Sequence, residues 1–478
     1  MARASDPIRA RKAAEKVVAM LRDAGHEALF AGGCVRDELL GLHPTDYDVA
    51  TSATPQDVRA VFPKAHSVGE HFGVMLVRDP TNPASDCVIE IATFRTDGQY
   101  LDKRRPDRVQ FSTAPEDAKR RDFTINALFL DPFATALKGG PQSSPLGGVV
   151  IDHVGGVDDM HRKLLRAVGD PELRLAEDHL RALRAVRFAA RLNFVIEPAT
   201  AHAIRTHAKD LHGVSRERIG EEIRRMLLHP SRAQAAALLD ELHLASEVLE
   251  EDAKTIAANT SAESATNYTA LERLKAPSRS REDFLIDGRV RSTDDRQSPN
   301  APTFAHALSM WALLRHGRSL DAQPPTIDEH AGPALVQRWR KALCLSNDET
   351  SELAAALSCH HHLIRSWTSL SIAQKKRRAA KPGFLDALEL LRAHHSPQPT
   401  GQPVNPLPAI EAELENLAKI GTGLWPDPLV SGDDLQRSLK MEPGPIFRRV
   451  LDGVYDAQLE GRIATKSEGM ELAGRLGV

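Results

Sequence analysis

The chain has 478 residues, of which 41% are hydrophobic and 27% are charged, and its formal net charge is −3. This composition is typical of a globular protein of two to four domains. Four widely separated cysteines argue against a disulfide framework or a zinc knuckle. The absence of an apolar signal segment and of any membrane-length apolar run predicts a cytoplasmic protein with no membrane association.

The first third of the chain alternates between predicted helices and strands. An amphipathic helix is expected over residues 6–25, with an apolar face formed by Ala13, Val17, Val18 and Leu21. A second helix is expected over 54–61, where Thr54 supplies the N-cap and Pro55 the first turn. The strand-like runs are 28–31, 47–50, 74–77 and 87–93. Together these elements predict an α+β head domain over residues 1–156.

The remainder of the chain is predicted to be helical. Residues 157–250 are rich in Ala, Leu, Arg and Glu, and form a predicted helical neck. Residues 251–395 form a predicted helical body, which contains a polar loop at 252–302 that is expected to be partly disordered. A proline-rich linker at 395–408 leads to a last helical unit, the tail, at 409–478.

The segment 29–51, LFAGGCVRDELLGLHPTDYDVAT, carries the most chemical information. Asp46 and Asp48 are two residues apart on a predicted strand, so both carboxylates point to the same face. Two adjacent carboxylates repel each other unless a cation lies between them, and Mg²⁺ prefers such oxygen ligands. We therefore expect a magnesium site here, although an isolated Asp-x-Asp is more often a solvated turn.

Two further features of the head indicate phosphate binding. Gly32 and Gly33 precede a short predicted helix whose amide groups can hold a phosphate, with Arg36 one turn further on. In the stretch KRRDFTINAL at 119–128, Arg121 can bind a triphosphate. We expect Asp122 to hold an arginine or to assist at the metal; the alternative is that it caps a helix that begins near Phe123, and the two expectations are compatible. A phosphate site beside a metal site predicts the transfer of part of a nucleoside triphosphate.

The stretch EDHLRALRAVRFAAR at 177–191 predicts a base-reading helix. Asp178 and Arg181 are three residues apart, and Arg181, Arg184 and Arg187 form an oblique stripe. An arginine offers only donors and an ionised aspartate only acceptors, so the pair matches the base edges of cytosine and adenine. Uracil and guanine would place a carbonyl against the carboxylate and be rejected. The alternative is a surface helix covered with salt bridges.

Taken together, GGCVRD, DYD, IEIATFR, RRDFTINAL and EDHLRALRAVRFAARL closely resemble the class II tRNA nucleotidyltransferase and bacterial poly(A) polymerase family. The resemblance covers residues 25–250 and implies a polymerase β-like nucleotidyltransferase head followed by helical neck, body and tail domains. It implies that Asp46 and Asp48 bind the catalytic Mg²⁺ ions. The residues that it implies for nucleotide binding are Gly33, Arg36, Arg121, Asp178, Arg181, Arg184 and Arg187, to which the glycine turn adds Gly32.

The expected activity is template-independent addition of CCA to tRNA from CTP and ATP, with no obligate protein partner evident. A third carboxylate is expected, and both Glu90 and Asp122 are candidates for this catalytic role. The segment VGEHFGVMLV at 68–77 and the tail at 428–468 resemble the CCA-adding branch. Poly(A) synthesis, and a split activity that adds only CC or only A, stay open. Lys103 replaces a family glycine in the loop linked to that choice, and a non-catalytic RNA-binding relative is the remaining alternative.

Overall fold

The computed structural model describes residues 7–44, 46–69, 73–80, 82, 87–97, 109–135, 142–251, 268–275, 285–286, 289–290, 302–318, 324–394 and 406–477. The chain divides into two compact units. One comprises Met1–Ser215 with Leu242–Leu244, and the other Arg216–Glu241 with Ala245–Val478. The predicted head–neck boundary at 156/157 lies within the first unit. No helix in the described ranges is both long and apolar enough to cross a bilayer.

The first unit contains eight helices among its described residues. They are α1 (Pro7–Asp23), α2 (Gly33–Leu39), α3 (Pro55–Val61), α4 (Ala114–Lys119), α5 (Gly156–His161), α6 (Pro171–Glu177), α7 (Leu180–Leu192) and α8 (Pro198–Thr206). Short 3₁₀ turns lie at Thr124–Asn126 and Ala208–Gly213. The strands are β1 (Ala28–Ala31), β2 (Asp48–Thr51), β3 (His66–Gly69), β4 (Val74–Arg78), β5 (Val88–Thr93), β6 (Arg95–Asp97), β7 (Val109–Phe111), β8 (Phe129–Asp131), β9 (Val149–Ile151), β10 (Leu164–Leu165) and β11 (Val195–Ile196).

Seven of these strands form one mixed sheet in the order β3-β4-β5-β2-β1-β8-β9. Strands β2 and β5 run parallel, with Asp48 opposite Glu90, while β1 pairs antiparallel with both β2 and β8. The expected amphipathic helix is confirmed as α1, whose predicted apolar face is buried. Helix α3 begins as expected, because Thr54 and Asp57 form a reciprocal capping box.

The base-reading segment differs from the continuous helix that its spacing predicts. Helix α6 ends at Glu177, and Asp178 has extended backbone angles, φ −150° and ψ 102°. Its side chain accepts a hydrogen bond from the amide of Leu180 at 3.1 Å. An aspartate that bonds to a backbone amide two residues later favours a turn over a helix interior. The helical part of the segment therefore starts only at Leu180.

The second unit is almost entirely helical in its described residues. Its further helices, with α11 beginning in the first unit, are α9 (Arg216–Leu227), α10 (Arg232–Glu241), α11 (Leu244–Leu249), α12 (Thr269–Arg273), α13 (Phe304–His316), α14 (Ala331–Leu343), α15 (Asn347–Arg365), α16 (Ile372–Ala379), α17 (Phe384–His394), α18 (Leu407–Ala418), α19 (Gly432–Leu439), α20 (Pro445–Leu459) and α21 (Lys466–Leu476). A two-residue ladder joins β12 (Leu285–Ile286) to β13 (Arg289–Val290). A mixed sheet followed by helices confirms the predicted fold class.

The second unit also corrects one expectation about three consecutive histidines. His360, His361 and His362 are expected on a helix surface, and they do lie on α15, but the His360 side chain is fully buried. Burial lowers the pKa of His360 well below its usual value, so the ring is neutral in the core. Residues 98–108, which include Lys103, lie outside the described residues, as do most of 252–302 and 395–405.

Candidate active site

Three carboxylates lie on or directly beside two neighbouring parallel strands, β2 and β5. Asp46 and Asp48 are exposed while Tyr47 between them is buried, which is the alternation expected of an extended segment. Glu90 on β5 is also exposed and is the direct cross-strand partner of Asp48. Adjacent parallel strands are roughly 4.8 Å apart, so these two side chains leave the sheet side by side.

The electrostatics of this acidic group favour a cation. Asp48 keeps some solvent access, yet desolvation together with the negative charges of Glu90 and Asp46 raises its pKa to about 6. Arg121 acts in the opposite direction. Desolvation also raises the pKa of Glu90. Neighbouring carboxylates that are partly desolvated and carry like charges form a donor set that fits a hard divalent cation.

Tyr47, the residue between the two aspartates, is held in place by a hydrogen bond and by ring packing. The Tyr47 hydroxyl donates to Glu38 at 2.7 Å, and Arg11 donates to the same carboxylate at 2.9 Å. The ring of Tyr47 packs edge-on against Phe30 of β1, with ring centroids 5.1 Å apart. Glu38 is buried in α2, so the aspartate pair is attached to the helix that follows the glycine turn.

The glycine turn brings an arginine close to the backbone. Gly32 has φ +74°, and a Cβ atom at this position would lie 3.0 Å from a terminal nitrogen of Arg121. A residue without a side chain is required both by the left-handed backbone and by this close approach. Arg36, one turn into α2, is buried and stacks over the Phe188 ring at 5.1 Å. Its guanidinium also contacts Asp37 and Asn126.

Arg121 is held by a buried carboxylate that sequence reasoning missed. Asp117 accepts from Arg121 Nε at 3.0 Å and from Arg120 Nε at 2.9 Å. Burial opposes the charge on Asp117, but the two guanidinium groups hold its pKa below the usual value. Arg121 Nη1 donates to the carbonyl oxygen of Asn126 at 3.2 Å. A capping pattern around Thr113 could have placed Asp117 on a helix, but not its partners.

Asn126 connects several of the predicted residues, and it too was absent from the predicted set. Its side-chain oxygen accepts from Arg36, and its side-chain amide donates to Asp122 at 3.2 Å. Its backbone oxygen accepts from Arg121. The only sequence signal is its position in RRDFTINAL, because a 3₁₀ turn of three residues leaves no periodic pattern.

Asp122 is engaged in an ion pair with the neck helix. Arg184 donates to it twice, at 2.8 and 2.6 Å, and the amide of Phe123 donates at 2.8 Å. Burial opposes its charge, but the Arg184 guanidinium holds the pKa of Asp122 below the usual value. This carboxylate therefore joins the RRDFTINAL segment to α7 and holds an arginine, which is one of the roles expected of it. The short 3₁₀ turn begins at Thr124, with Phe123 as its N-cap and without a side-chain cap bond, so Asp122 does not cap it.

The two residues predicted to read the base, Asp178 and Arg181, and the two further arginines predicted to bind the nucleotide lie on or just before α7. Arg181 is buried and donates to Glu177 at 2.6 Å and to the carbonyl oxygen of Arg174 at 2.6 Å. Asp178 meets Arg181 through the backbone, since its carbonyl oxygen accepts from the Arg181 amide at 3.0 Å. Arg184 and Arg187 both stack on Phe188, at 5.3 and 4.3 Å. Arg36 also stacks on Phe188, so this one ring contacts the arginine that follows the glycine turn and two arginines of the α7 stripe.

Comparison with known proteins places this site in a defined group. Residues 28–166 match the family described as "Poly A polymerase head domain", and residues 193–254 match "Probable RNA and SrmB- binding site of polymerase A". The CCA-adding enzyme of Geobacillus stearothermophilus is 30% identical over 457 residues, which cover 95% of this chain and 93% of that enzyme. The enzyme of that name from Lactobacillus helveticus is 42% identical over 233 residues, covering 48% of this chain and 54% of the relative.

Solved structures agree with this similarity. The Bacillus stearothermophilus CCA-adding enzyme in complex with CTP superposes with a TM-score of 0.64 at 25% identity, over 98% of this chain and 97% of that one. The Thermotoga maritima CCA-adding enzyme complexed with tRNA superposes with a TM-score of 0.59 at 17% identity, covering 98% and 96% of the two chains. The second likeness concerns the fold alone.

Proposed function

The chain belongs to the family of CCA-adding enzymes, and we propose that it adds C, C and A to the 3′ end of tRNA from CTP and ATP. The proposal places the reaction in the cytoplasm. The observation that carries it is one connected set of side chains in the first unit. The glycine turn with its two anchored arginines and the α7 stripe share Asn126, Asp122 and Phe188 as common contacts. The acidic strand pair, Asp46 and Asp48, flanks Tyr47, whose hydroxyl donates to Glu38 of the helix that follows the glycine turn.

The triphosphate would bind beside the glycine turn. Gly32 leaves room for Arg121, and Arg36 lies on the first turn of α2. Both guanidinium groups are already oriented by neighbouring groups, so little side-chain entropy is lost when they bind phosphate oxygens. At Gly33 an added Cβ would lie 3.7 Å from Arg36, which is an ordinary contact distance, so space alone does not require glycine there.

The nucleotidyltransferases of this family use a divalent metal, and we assign its binding here to Asp46 and Asp48, with Glu90 as the third carboxylate. Three oxygen donors with repelling charges suit Mg²⁺ better than a softer metal. Asp122 is a weaker candidate because its oxygens already accept from Arg184, Phe123 and Asn126. Two bound Mg²⁺ ions would lower the pKa of the attacking hydroxyl and stabilise the leaving oxygen.

The chemistry is an in-line substitution at the α-phosphorus. The 3′-hydroxyl oxygen of the tRNA forms the new bond, the bond to the β-phosphate oxygen breaks, and pyrophosphate leaves. Arg36 and Arg121 would hold the departing pyrophosphate, whose negative charge grows as that bond breaks. Asp46, Asp48 and Glu90 contribute the negative charge that keeps cations at this position.

Base selection is assigned to Asp178 and Arg181. Asp178 lies just before α7 and its carboxylate accepts from the Leu180 amide at the start of that helix, while Arg181 is fixed by Glu177 and the Arg174 carbonyl oxygen. A donor and an acceptor held in this way match the amino group and ring nitrogen of C and A. A base that leaves one of these groups unpaired is disfavoured, so no nucleic-acid template is required.

The test is nucleotide incorporation into tRNA transcripts that end before CCA, after C and after CC. Each transcript is given CTP, ATP or both, with Mg²⁺, and the products are sized to single-nucleotide resolution. Completion of all three to a single CCA end supports the proposal. Arrest at CC, or extension of only the CC-ended transcript, would show a split activity, and long A tails on every transcript would show poly(A) synthesis.

A matched variant separates an enzyme from an RNA-binding relative. Asp48→Ala should abolish incorporation while tRNA binding, measured by filter retention, stays within about twofold of the parent. Arg181→Lys keeps the positive charge but loses the planar donor pair, so it should impair discrimination between CTP and UTP more than total incorporation. Equal discrimination in Arg181→Lys and the parent would remove Arg181 from base selection.

A further inference from the structure

A second group of metal-ligating side chains lies in the first unit, directly after Asp178 in the chain. It comprises His179, His207 and Asp210, whose ligand atoms all lie within 4.8 Å of one another. Among the residues that the structure describes, it is the one group of three such side chains that meets this spacing. It contains two imidazoles, whereas Asp46 and Asp48 offer only carboxylate oxygens, so the two groups differ in ligand chemistry.

The three ligands come from three different elements. His179 precedes α7, His207 follows α8, and Asp210 lies in the 3₁₀ turn Ala208–Gly213. Asp210 Oδ2 is 2.7 Å from His207 Nδ1 and 3.9 Å from His179 Nδ1. Donors around a tetrahedral zinc ion are roughly 3.3 Å apart when each is about 2.0–2.1 Å from the metal. Small rotations of the two rings would therefore equalise these distances.

A fourth residue orients one of the histidines. Glu172 of α6 contacts His207 Nε2 at 2.9 Å, on the opposite side of the ring from Asp210. If Nε2 carries the proton and donates to Glu172, the Nδ1 lone pair faces the Asp210 carboxylate. Two acceptors cannot bond to each other, but a cation between them satisfies both. A carboxylate that fixes the outer nitrogen of a metal-binding histidine is the usual arrangement at protein metal sites.

We propose that His179, His207 and Asp210 bind a divalent transition metal of the zinc class, with Glu172 orienting His207. Two neutral imidazoles and one carboxylate suit zinc and exclude Mg²⁺, which requires mostly oxygen ligands. The metal would tie the start of α7 to the end of α8 and would restrain the chain next to Asp178. Its binding stabilises the first unit by mass action, whether or not catalysis occurs.

The competing explanation is an imidazolium at His207, held between Glu172 and Asp210 as a doubly bonded ion pair. This arrangement would produce the same two short contacts without any metal. The two explanations differ in one measurable respect. The metal site needs all three ligands and saturates with one ion, whereas the ion pair needs only His207 and its two carboxylates.

The experiment uses the full-length Asp46→Ala, Asp48→Ala protein, so that the acidic strand pair does not compete for metal. Zn²⁺ is titrated calorimetrically in excess Mg²⁺, and Co²⁺ is used as a spectroscopic substitute. We expect one equivalent of Zn²⁺ to bind, a tetrahedral Co²⁺ absorption band, and a rise in the melting temperature that chelation reverses. His361→Ala, His362→Ala is the histidine control, and it should bind as the parent does.

Three variants test the ligand set. Asp210→Asn and His207→Gln keep the side-chain shapes and should abolish the Zn²⁺ heat and the Co²⁺ band, while circular dichroism shows a folded chain. Glu172→Gln should weaken Zn²⁺ binding roughly ten- to a hundredfold, as loss of an orienting carboxylate does. The proposal is overturned if the parent binds no Zn²⁺, or if binding survives Asp210→Asn and His207→Gln.

Discussion

Replacement of Asp122 by Asn should destabilise the protein more than it slows the chemical step. The variant removes a carboxylate that accepts two hydrogen bonds from Arg184, one from Phe123 and one from Asn126. Breaking one partner of a buried pair costs about 3–5 kcal/mol. Because the Arg184 side chain is 34% exposed, solvent screening reduces the expected loss in unfolding free energy to about 2–3 kcal/mol.

Glu90→Gln should slow the chemical step more than it destabilises the protein. It removes a like charge beside Asp48, so the free energy of unfolding should stay within about 0.5 kcal/mol of the parent or rise slightly. Loss of a metal-binding carboxylate should remove several kcal/mol of transition-state stabilisation, and roughly 3 kcal/mol corresponds to a hundredfold slower incorporation. Urea unfolding and single-turnover CMP incorporation, measured on both variants, give the two quantities separately.

The pH dependence of stability gives a second check on the role of Asp122. The pKa of Asp122 is lower in the folded state than in the unfolded chain, so its stabilisation is fully present above about pH 3.9. It is lost as the pH falls through the folded-state value. The stability difference between the parent and Asp122→Asn should therefore be constant near neutral pH and shrink below about pH 4. An Asp122→Asn protein that unfolds like the parent but incorporates nothing, beside an active Glu90→Gln, would refute this reasoning.

Three further outcomes are expected. Gly32→Ala and Gly41→Ala both place a side chain at positive φ, and each should lower the unfolding free energy by about 1 kcal/mol. Only Gly32→Ala, whose Cβ would lie 3.0 Å from Arg121, should raise the KM for CTP. Equal KM values for the two variants would contradict this. Asp117→Asn should lower the unfolding free energy by about 2–4 kcal/mol in urea titrations and raise the KM for CTP several-fold, since Arg121 loses its anchor. His394→Leu should flatten the pH dependence of second-unit stability, because burial lowers the pKa of His394 from its usual 6.5 to about 4. Between these values the unfolded chain binds a proton that the folded state does not, so the parent loses stability as the pH falls. A urea midpoint that still declines equally across this range would contradict the last prediction.

Local patterns in the sequence predicted the elements better than their junctions. The burial face of α1 and the capping of α3 follow from periodicity and from short-range hydrogen bonds, and both are confirmed. The break at Asp178 was not predicted, because helical spacing continues through it and only the backbone angles reveal the turn. The burial of His360 was missed for a related reason, since three consecutive histidines indicate nothing about which of them faces the core.

In the candidate site, too, residues with a local sequence pattern were predicted, and residues defined by contacts between elements were not. Strand alternation and a glycine pair are local signals, so Asp46, Asp48 and Gly32 could be selected from the sequence together with the family resemblance. Asp117 and Asn126 act through contacts with side chains on other elements, and such contacts have no local pattern. The pairing of Asp48 with Glu90 joins residues 42 positions apart, and only the parallel β2–β5 register reveals it. The sequence left Glu90 and Asp122 both open as the third carboxylate, and our proposal of Glu90 depends on this register.

The anchored arginines explain how this site can act without a template. Arg121 is held by Asp117, Arg181 by Glu177 and Arg184 by Asp122, each within 3.0 Å. Immobilising a long side chain on binding costs about 0.5–1.5 kcal/mol, and here folding has already met that cost. A pre-oriented guanidinium also cannot turn to accommodate a mismatched base edge, so rigidity contributes to selection as well as to affinity. Loss of an anchoring carboxylate should consequently relax discrimination between nucleotides through the guanidinium that the carboxylate orients.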